Sequence, residues 1–190
     1  MNEDKRLIVL VGPTAVGKTA VAIQLARHFK TEIISADSRQ IYRELEIGTA
    51  KPTEQELKQV KHHFINTHSI NQTYDAGSYE RDALALISKL FEKYNPLILC
   101  GGSGLYVKAV LEGFDEMPEI PAGLREKIMN AFEQKGLSWL QEQVKEVDPD
   151  YSTEVDIKNP HRLVRALELH AAEGKSLKEL RTKRKSKSSI

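Results

Sequence analysis

The run Gly12-Pro13-Thr14-Ala15-Val16-Gly17-Lys18-Thr19 constrains this chain more than any other stretch. It matches G-x-x-x-x-G-K-[ST], the phosphate-binding P-loop, and it stands between the neighbours that loop requires. Before it, Leu7-Ile8-Val9-Leu10-Val11 is an unbroken apolar run that reads as a buried parallel strand. After it, Ala20 to Ala26 repeats apolar residues at three- and four-residue steps, which is helical spacing. Gly12 and Gly17 let the backbone turn its N–H groups toward one point, and the new helix aims its positive dipole end there too. Lys18 can reach a terminal phosphate, and the Thr19 hydroxyl can ligate Mg2+. The stretch from Gly12 to Thr19 is therefore expected to bind a di- or triphosphate. The motif alone does not say what the phosphate is attached to or what is done with it.

Composition narrows the setting. With 190 residues, 40% hydrophobic, the chain can build one ordinary core and a smaller appended element. No apolar run approaches the roughly 20 residues that span a bilayer, so no membrane partner is expected. Met1 to Arg6 leads straight into the first strand, without the apolar stretch and cleavage site of a secretion signal. The single cysteine, Cys100, cannot pair within the chain. These features predict a cytoplasmic protein, and a monomer is expected. Charge is uneven: residues 161–190 carry nine Lys/Arg against three Glu, while the rest carries 19 basic and 24 acidic residues. A basic last third suits a nucleic-acid partner, and equally a solvated helix with a frayed tail.

Strands and helices alternate through the first half. Strands are expected at Arg6–Val11, Glu32–Ala36, His62–Ile65 and Leu97–Cys100. Helices are expected at Lys18–Phe29, at a short stretch capped by Thr53 with Glu56 three residues on, and at Tyr79–Tyr94 with Ser78 as cap. Such alternation implies an α/β fold with a parallel, doubly wound sheet flanked by helices, of the P-loop NTPase type. Ligands in such sheets sit at the carboxyl ends of the strands. Three loops follow strand ends and should share one rim: Gly12–Thr19, Asp37–Gln40 and Gly101–Gly104. The second half reads as helical: Leu105–Leu111, then Ala122–Lys135, Leu137–Val147 and Pro160–Ala172, with stops at Gly136, Asp148-Pro149 and Gly174. The expected organisation is a core over 1–115, a helical region over 116–174 packing back on it, and a flexible basic tail over 175–190.

Asp37 lies 19 residues after Lys18, at the end of the next strand. The later apolar strand runs into Gly101-Gly102 without the acid that hydrolysing P-loop enzymes place there. That favours group transfer to a second bound substrate. Asp37 is a general-base candidate, and equally a turn aspartate. Ser38 and Gln40 could bond a base edge, Arg39 could contact phosphate, and Ser103 could point a hydroxyl into the cleft.

Four further segments join the P-loop: Asp37-Ser38-Arg39-Gln40-Ile41-Tyr42, Ile47-Gly48-Thr49-Ala50-Lys51-Pro52, Gly101-Gly102-Ser103-Gly104-Leu105-Tyr106, and Asn159-Pro160-His161-Arg162-Leu163-Val164-Arg165-Ala166-Leu167-Glu168. In this order, over nearly the whole chain, they resemble the bacterial tRNA dimethylallyltransferases, or isopentenyl-tRNA transferases. The resemblance implies transfer of a dimethylallyl group from dimethylallyl diphosphate to N6 of the adenosine just 3′ of the anticodon, in tRNAs reading U-starting codons. It implies that residues Thr14 to Thr19 hold the diphosphate and Mg2+, with Lys18 and Thr19 catalytic. It implies that Asp37 is the general base toward the adenine amine. It further implies tRNA contacts at Ser38, Arg39, Gln40, Ser103, Arg125, His161, Arg162, Leu163, Val164 and Arg165, with the tRNA anticodon stem-loop as partner.

Two departures stand out. Ser103 occupies a place where the family more often has Thr, and both carry a hydroxyl. The chain also stops at Ile190, where family members continue into a further helical portion, so a truncated form is expected. Two alternatives compete with prenyl transfer to tRNA: a small-molecule kinase or adenylate isopentenyltransferase, and a non-catalytic nucleotide-binding module.

Overall fold

The computed structural model describes residues 4–114 and 118–180. The chain divides into two compact units after Phe114. The expected basic tail lies outside the described residues from 181 onward.

The first unit holds a four-stranded, all-parallel sheet: β1 (Leu7–Val11), β2 (Ile33–Ser35), β3 (His62–His63) and β4 (Leu97–Gly101), in the order β1-β4-β2-β3. Around it lie α1 (Lys18–Phe29), α2 (Glu54–Gln59), α3 (Ala76–Leu90) and α4 (Gly104–Glu112). The apolar runs that look featureless in sequence resolve into two alternating sets. Ile34, Leu97 and Leu99 pack against Tyr79, Ala83 and Ile87 of α3 and Tyr106 and Val110 of α4. Ile33 and Ile98 pack against Ala22, Ile23 and Ala26 of α1. Successive strand residues point to opposite faces, so a sheet covered on both sides must be apolar at every position. β4 lies between β1 and β2 with Cys100 opposite Leu10 on one side and Ser35 on the other, which brings three strand ends to one rim.

Three local expectations need correction. The third strand stops at His63 because Phe64 takes a left-handed φ of 60°, which breaks the extended run. The cap of α3 is Asp75, whose carboxylate accepts the Ser78 N–H; Ser78 lies inside the first turn. That helix ends at Leu90, and hydrogen-bonded turns carry the chain on to Tyr94, whose N–H donates to the Leu90 carbonyl at 2.9 Å. The capping box of α2 forms in full: Thr53 accepts the Glu56 N–H and Glu56 accepts the Thr53 N–H.

The second unit is helical: α5 (Leu124–Val147), α6 (Pro149–Glu154), α7 (Pro160–Glu173) and α8 (Leu177–Leu180). Gly136, at φ 81° and ψ −178°, breaks α5 into two helical stretches where sequence places a stop. The helix α6 is unforeseen: Asp148-Pro149 reads as a terminator but is also an Asp cap followed by Pro at the first helical position. Asp148 is buried and joins three elements. Its Oδ1 accepts the Tyr151 N–H at 3.2 Å, and its Oδ2 accepts the Leu177 N–H at 2.7 Å. Leu140 and Val144 of α5 and Leu163, Val164 and Leu167 of α7 form the core of this unit.

Candidate active site

The loop from β1 to α1 has the backbone an anion cradle needs. Ala15 sits at φ 66° and Gly17 at φ 85°, so left-handed residues alternate with ordinary ones and turn successive N–H groups inward. Gly17 caps α1 without a side-chain bond, leaving the first-turn N–H groups uncovered by any side chain. The Lys18 ammonium donates to the Pro13 carbonyl at 2.5 Å, which holds its charge over the loop. Thr19 follows in the first turn, half-buried.

The three expected loops do meet, and Gly101-Gly102 is where they meet. A Cβ on Gly101 would fall 2.1 Å from the Ala36 carbonyl oxygen, so only glycine fits this crossing. A Cβ on Gly102 would lie 3.4 Å from the Gly12 carbonyl oxygen and 3.9 Å from Asp37 Oδ2. The P-loop, the Asp37 turn and the glycine corner thus surround one point. Ser103 locks the arrangement: its N–H donates to the Ala36 carbonyl at 3.1 Å, and its Oγ accepts the Ser38 N–H at 2.8 Å.

Asp37 serves as a turn aspartate and still presents a free oxygen. Its Oδ1 accepts the N–H groups of Arg39 at 2.9 Å and Gln40 at 3.2 Å. Its Oδ2, on the Gly102 side, takes no hydrogen bond among the described residues. Behind it, Cys100 is half-buried, and burial pushes its thiol above the ordinary range; the nearby Lys18 charge pulls it down and Asp37 pushes it up. Beneath the turn, the rings of Tyr79 and Tyr106 stack at 4.0 Å and 13°. The Tyr79 hydroxyl donates to the Ser35 carbonyl at 2.9 Å. Burial pushes the Tyr106 phenol up to about 12, so it stays neutral and structural.

The other sequence-predicted residues separate into surface and scaffold. Arg39 is exposed beside Asp37, and Ser38 is half-buried against Ser103. Gln40 turns inward, its amide donating to the carbonyls of Thr49 at 3.1 Å and Ala50 at 3.0 Å. Lys51 completes that anchor by donating to the Tyr42 carbonyl at 2.6 Å. In the second unit, His161 and Arg162 are exposed in the first turn of α7, whose cap is Asn159. Leu163 and Val164, expected as tRNA contacts, have side chains fully buried in the core of their own unit. Arg125 and Arg165 are half-exposed and both pair with Glu168. No role for Glu168 is evident from sequence. The Arg165–Glu168 spacing of three is a helical pairing pattern, but Arg125 is 43 residues away.

The chain is 48% identical to the tRNA dimethylallyltransferase of Cytophaga hutchinsonii over 179 residues, which is 94% of the chain and 59% of that relative. It is 52% identical to that of Flavobacterium johnsoniae over 159 residues, 84% of the chain and 52% of the relative. The chain thus spans between half and two thirds of the length of these relatives. Among solved structures, the full-length tRNA isopentenylpyrophosphate transferase of Bacillus halodurans matches with TM-score 0.57 and 34% identity, covering 90% of the chain and 57% of that protein. A eukaryotic dimethylallyltransferase acting on tRNA matches with TM-score 0.74 and 25% identity, covering 93% and 44%. Residues 40–190 match the family model described as IPP transferase, and the chain belongs to that family.

Proposed function

We propose that this protein transfers a dimethylallyl group from dimethylallyl diphosphate to N6 of the adenosine 3′ of the anticodon in tRNAs that read U-starting codons. The observation that carries the reading is the position of Asp37 Oδ2, unbonded and facing the Gly12–Gly102 junction beside the P-loop. A general base must stand within reach of the proton it takes, and a carboxylate oxygen left without a hydrogen bond at the rim of the cleft can meet an acceptor amine brought there.

The chemistry divides between two sets of residues. In prenyl transfer the allylic C1–O bond breaks, N6–C1 forms, diphosphate departs with the bonding pair, and one N6 proton is lost. The loop N–H groups and Lys18 take up the negative charge that grows on the departing diphosphate. Asp37 Oδ2 receives the proton, while Oδ1 stays bonded to the Arg39 and Gln40 N–H groups and so fixes the carboxylate's direction. The residues present suit Mg2+: Thr19 offers a hard oxygen, and the described residues contain no cluster of three acidic, His or Cys groups to form a cage. Mg2+ is usually held by few protein oxygens together with substrate phosphates and water. When bound through Thr19, it would neutralise diphosphate charge.

The acceptor must be an adenosine lifted from its stack, since no base inside a stacked loop can reach a cleft walled by three backbone turns. Arg39 is exposed next to Asp37 and suits a flanking phosphate. We place the reaction in the cytoplasm.

Competition at the P-loop tests the reading. Dimethylallyl diphosphate with Mg2+ should displace a labelled diphosphate probe where ATP at equal concentration does not. Labelled dimethylallyl should also enter tRNA bearing the matching adenosine, and not free AMP. Preferential ATP binding with phosphate transfer to an acceptor would overturn it in favour of a kinase.

A further inference from the structure

Glu168 is the most deeply buried charged residue among those described, at 1% exposure. Its two oxygens are taken by two different arginines. Arg125 Nη1, from the first turn of α5, lies 3.0 Å from Oε1, and Arg165 Nη1, one helical turn before Glu168 on α7, lies 3.3 Å from Oε2. The carboxylate side chain is 2% exposed, while the arginines keep 56% and 43% of theirs in solvent.

This asymmetry is informative. A buried carboxylate needs a partner, but one guanidinium can satisfy it bidentately. Here each arginine gives it one nitrogen, and the cluster keeps a net charge of +1. A guanidinium carries five N–H donors, and the remaining ones on both arginines make no hydrogen bond among the described residues. Two planar cations are therefore each held through one nitrogen, with about half of each side chain in solvent. His161 and Arg162 lie exposed on the first turn of the same α7.

We infer that Glu168 is a positioning residue that holds Arg125 and Arg165 as a preset pair of guanidinium groups for phosphates of the RNA backbone. The inference rests on the tRNA reading above. Its physical basis is that an arginine already held in place loses less side-chain freedom on binding, and that a fixed fork matches phosphate oxygens where a swinging one does not.

Glu168→Gln tests it, because simple electrostatics and positioning predict opposite signs. Removing a negative charge should by itself tighten RNA binding and steepen its salt dependence. If Glu168 positions the arginines, the variant should bind an anticodon stem-loop about tenfold more weakly. The slope of log K against log[salt] should then flatten by roughly 0.7–0.9, since the amide oxygen still accepts from one arginine and the amide nitrogen releases the other. Thermal melting verifies that the variant is folded at the assay temperature. If it is not, Arg125→Lys combined with Arg165→Lys carries the test, since total charge is kept and only the fork is lost; about tenfold weaker binding supports the inference. Equal or tighter binding by Glu168→Gln, or unchanged binding by the double lysine variant, overturns this inference and leaves the tRNA reading standing. A parent chain that binds no stem-loop even at low salt overturns both.

Discussion

The Ser103 hydroxyl accepts the backbone N–H of Ser38 at 2.8 Å, across 65 residues of sequence. It also donates to the Ser38 hydroxyl at 3.0 Å, while the Ser103 N–H reaches back to Ala36 at 3.1 Å. One residue on the β4 corner therefore fixes the turn that carries Asp37. Ser103→Ala should leave the Ser38 N–H unpaired in a part-buried place, costing about 1–3 kcal/mol. Turnover should fall about 10- to 100-fold through a misplaced carboxylate, with diphosphate affinity unchanged. Ser103→Thr keeps the hydroxyl and should retain activity. Parallel melting, binding and prenyl-incorporation measurements check the separation; a loss of diphosphate affinity in the alanine variant would contradict it.

Asp37 has two duties that two substitutions separate. Asp37→Asn keeps an acceptor at Oδ1 for the Arg39 and Gln40 N–H groups, so the turn should persist and stability should shift by less than about 0.5 kcal/mol. It removes the proposed base, and turnover should drop about 10²–10⁴-fold. Asp37→Ala removes both and should also lower the melting temperature. Equal activity of the asparagine variant and the parent would exclude Asp37 as the base.

Gly101 is the tightest backbone crossing in the described residues that sequence flags only as a glycine-rich corner. A methyl group there meets the Ala36 carbonyl at 2.1 Å, and that carbonyl belongs to backbone on the rim of the site. Gly101→Ala should destabilise the first unit by about 3 kcal/mol or more, above the usual 1–3 kcal/mol of overpacking because neither chain can yield alone. Gly102→Ala meets its nearest neighbour at 3.4 Å and should fold nearly as well as the parent. Denaturant titration of both variants gives the comparison, and similar midpoints would refute the crowding at Gly101.

His62 gives a pH dependence with a definite sign. Burial holds its imidazole below the ordinary value of 6.5, opposed by its bond to the Val60 carbonyl and by Glu56, and aided by the nearby His63. Its Nε2 is buried without a partner among the described residues. The unfolded chain therefore binds a proton more readily than the folded one, so stability is lost as pH falls from about 6.5 toward the lower folded value. Melting temperature should decline between pH 7.5 and 5.5, and His62→Gln should flatten that decline. A slope identical in parent and variant would assign the effect elsewhere.

The P-loop, its strand and its helix were legible because the chemistry is local: eight consecutive residues set the turn, and the flanking periodicities set strand and helix. The convergence of three loops at one rim followed from the connection rules of parallel sheets, and Gly101-Gly102 is where they touch. What local pattern left undecided was the direction of individual elements and side chains. Asp148-Pro149 carries the residues of both a stop and a start, and short-range pattern cannot tell which side is helical. Leu163 and Val164 lie inside a segment whose flanks are polar and exposed, yet helical geometry turns them into the core. Gln40 and Asp37 are three residues apart, but one anchors a loop and the other faces the cleft.

From the amino-acid order alone came the tight loop between the first strand and helix, the α/β class and the carboxylate at position 37, because backbone turns and hydrophobic period are written in neighbouring residues. Tertiary structure alone decided which serine aims Asp37 and which distant arginine joins Arg165 on Glu168. The Ser103–Ser38 and Arg125–Glu168 contacts join residues 65 and 43 positions apart. Contacts at that separation arise only when packing brings distant segments together, and no local pattern encodes their geometry.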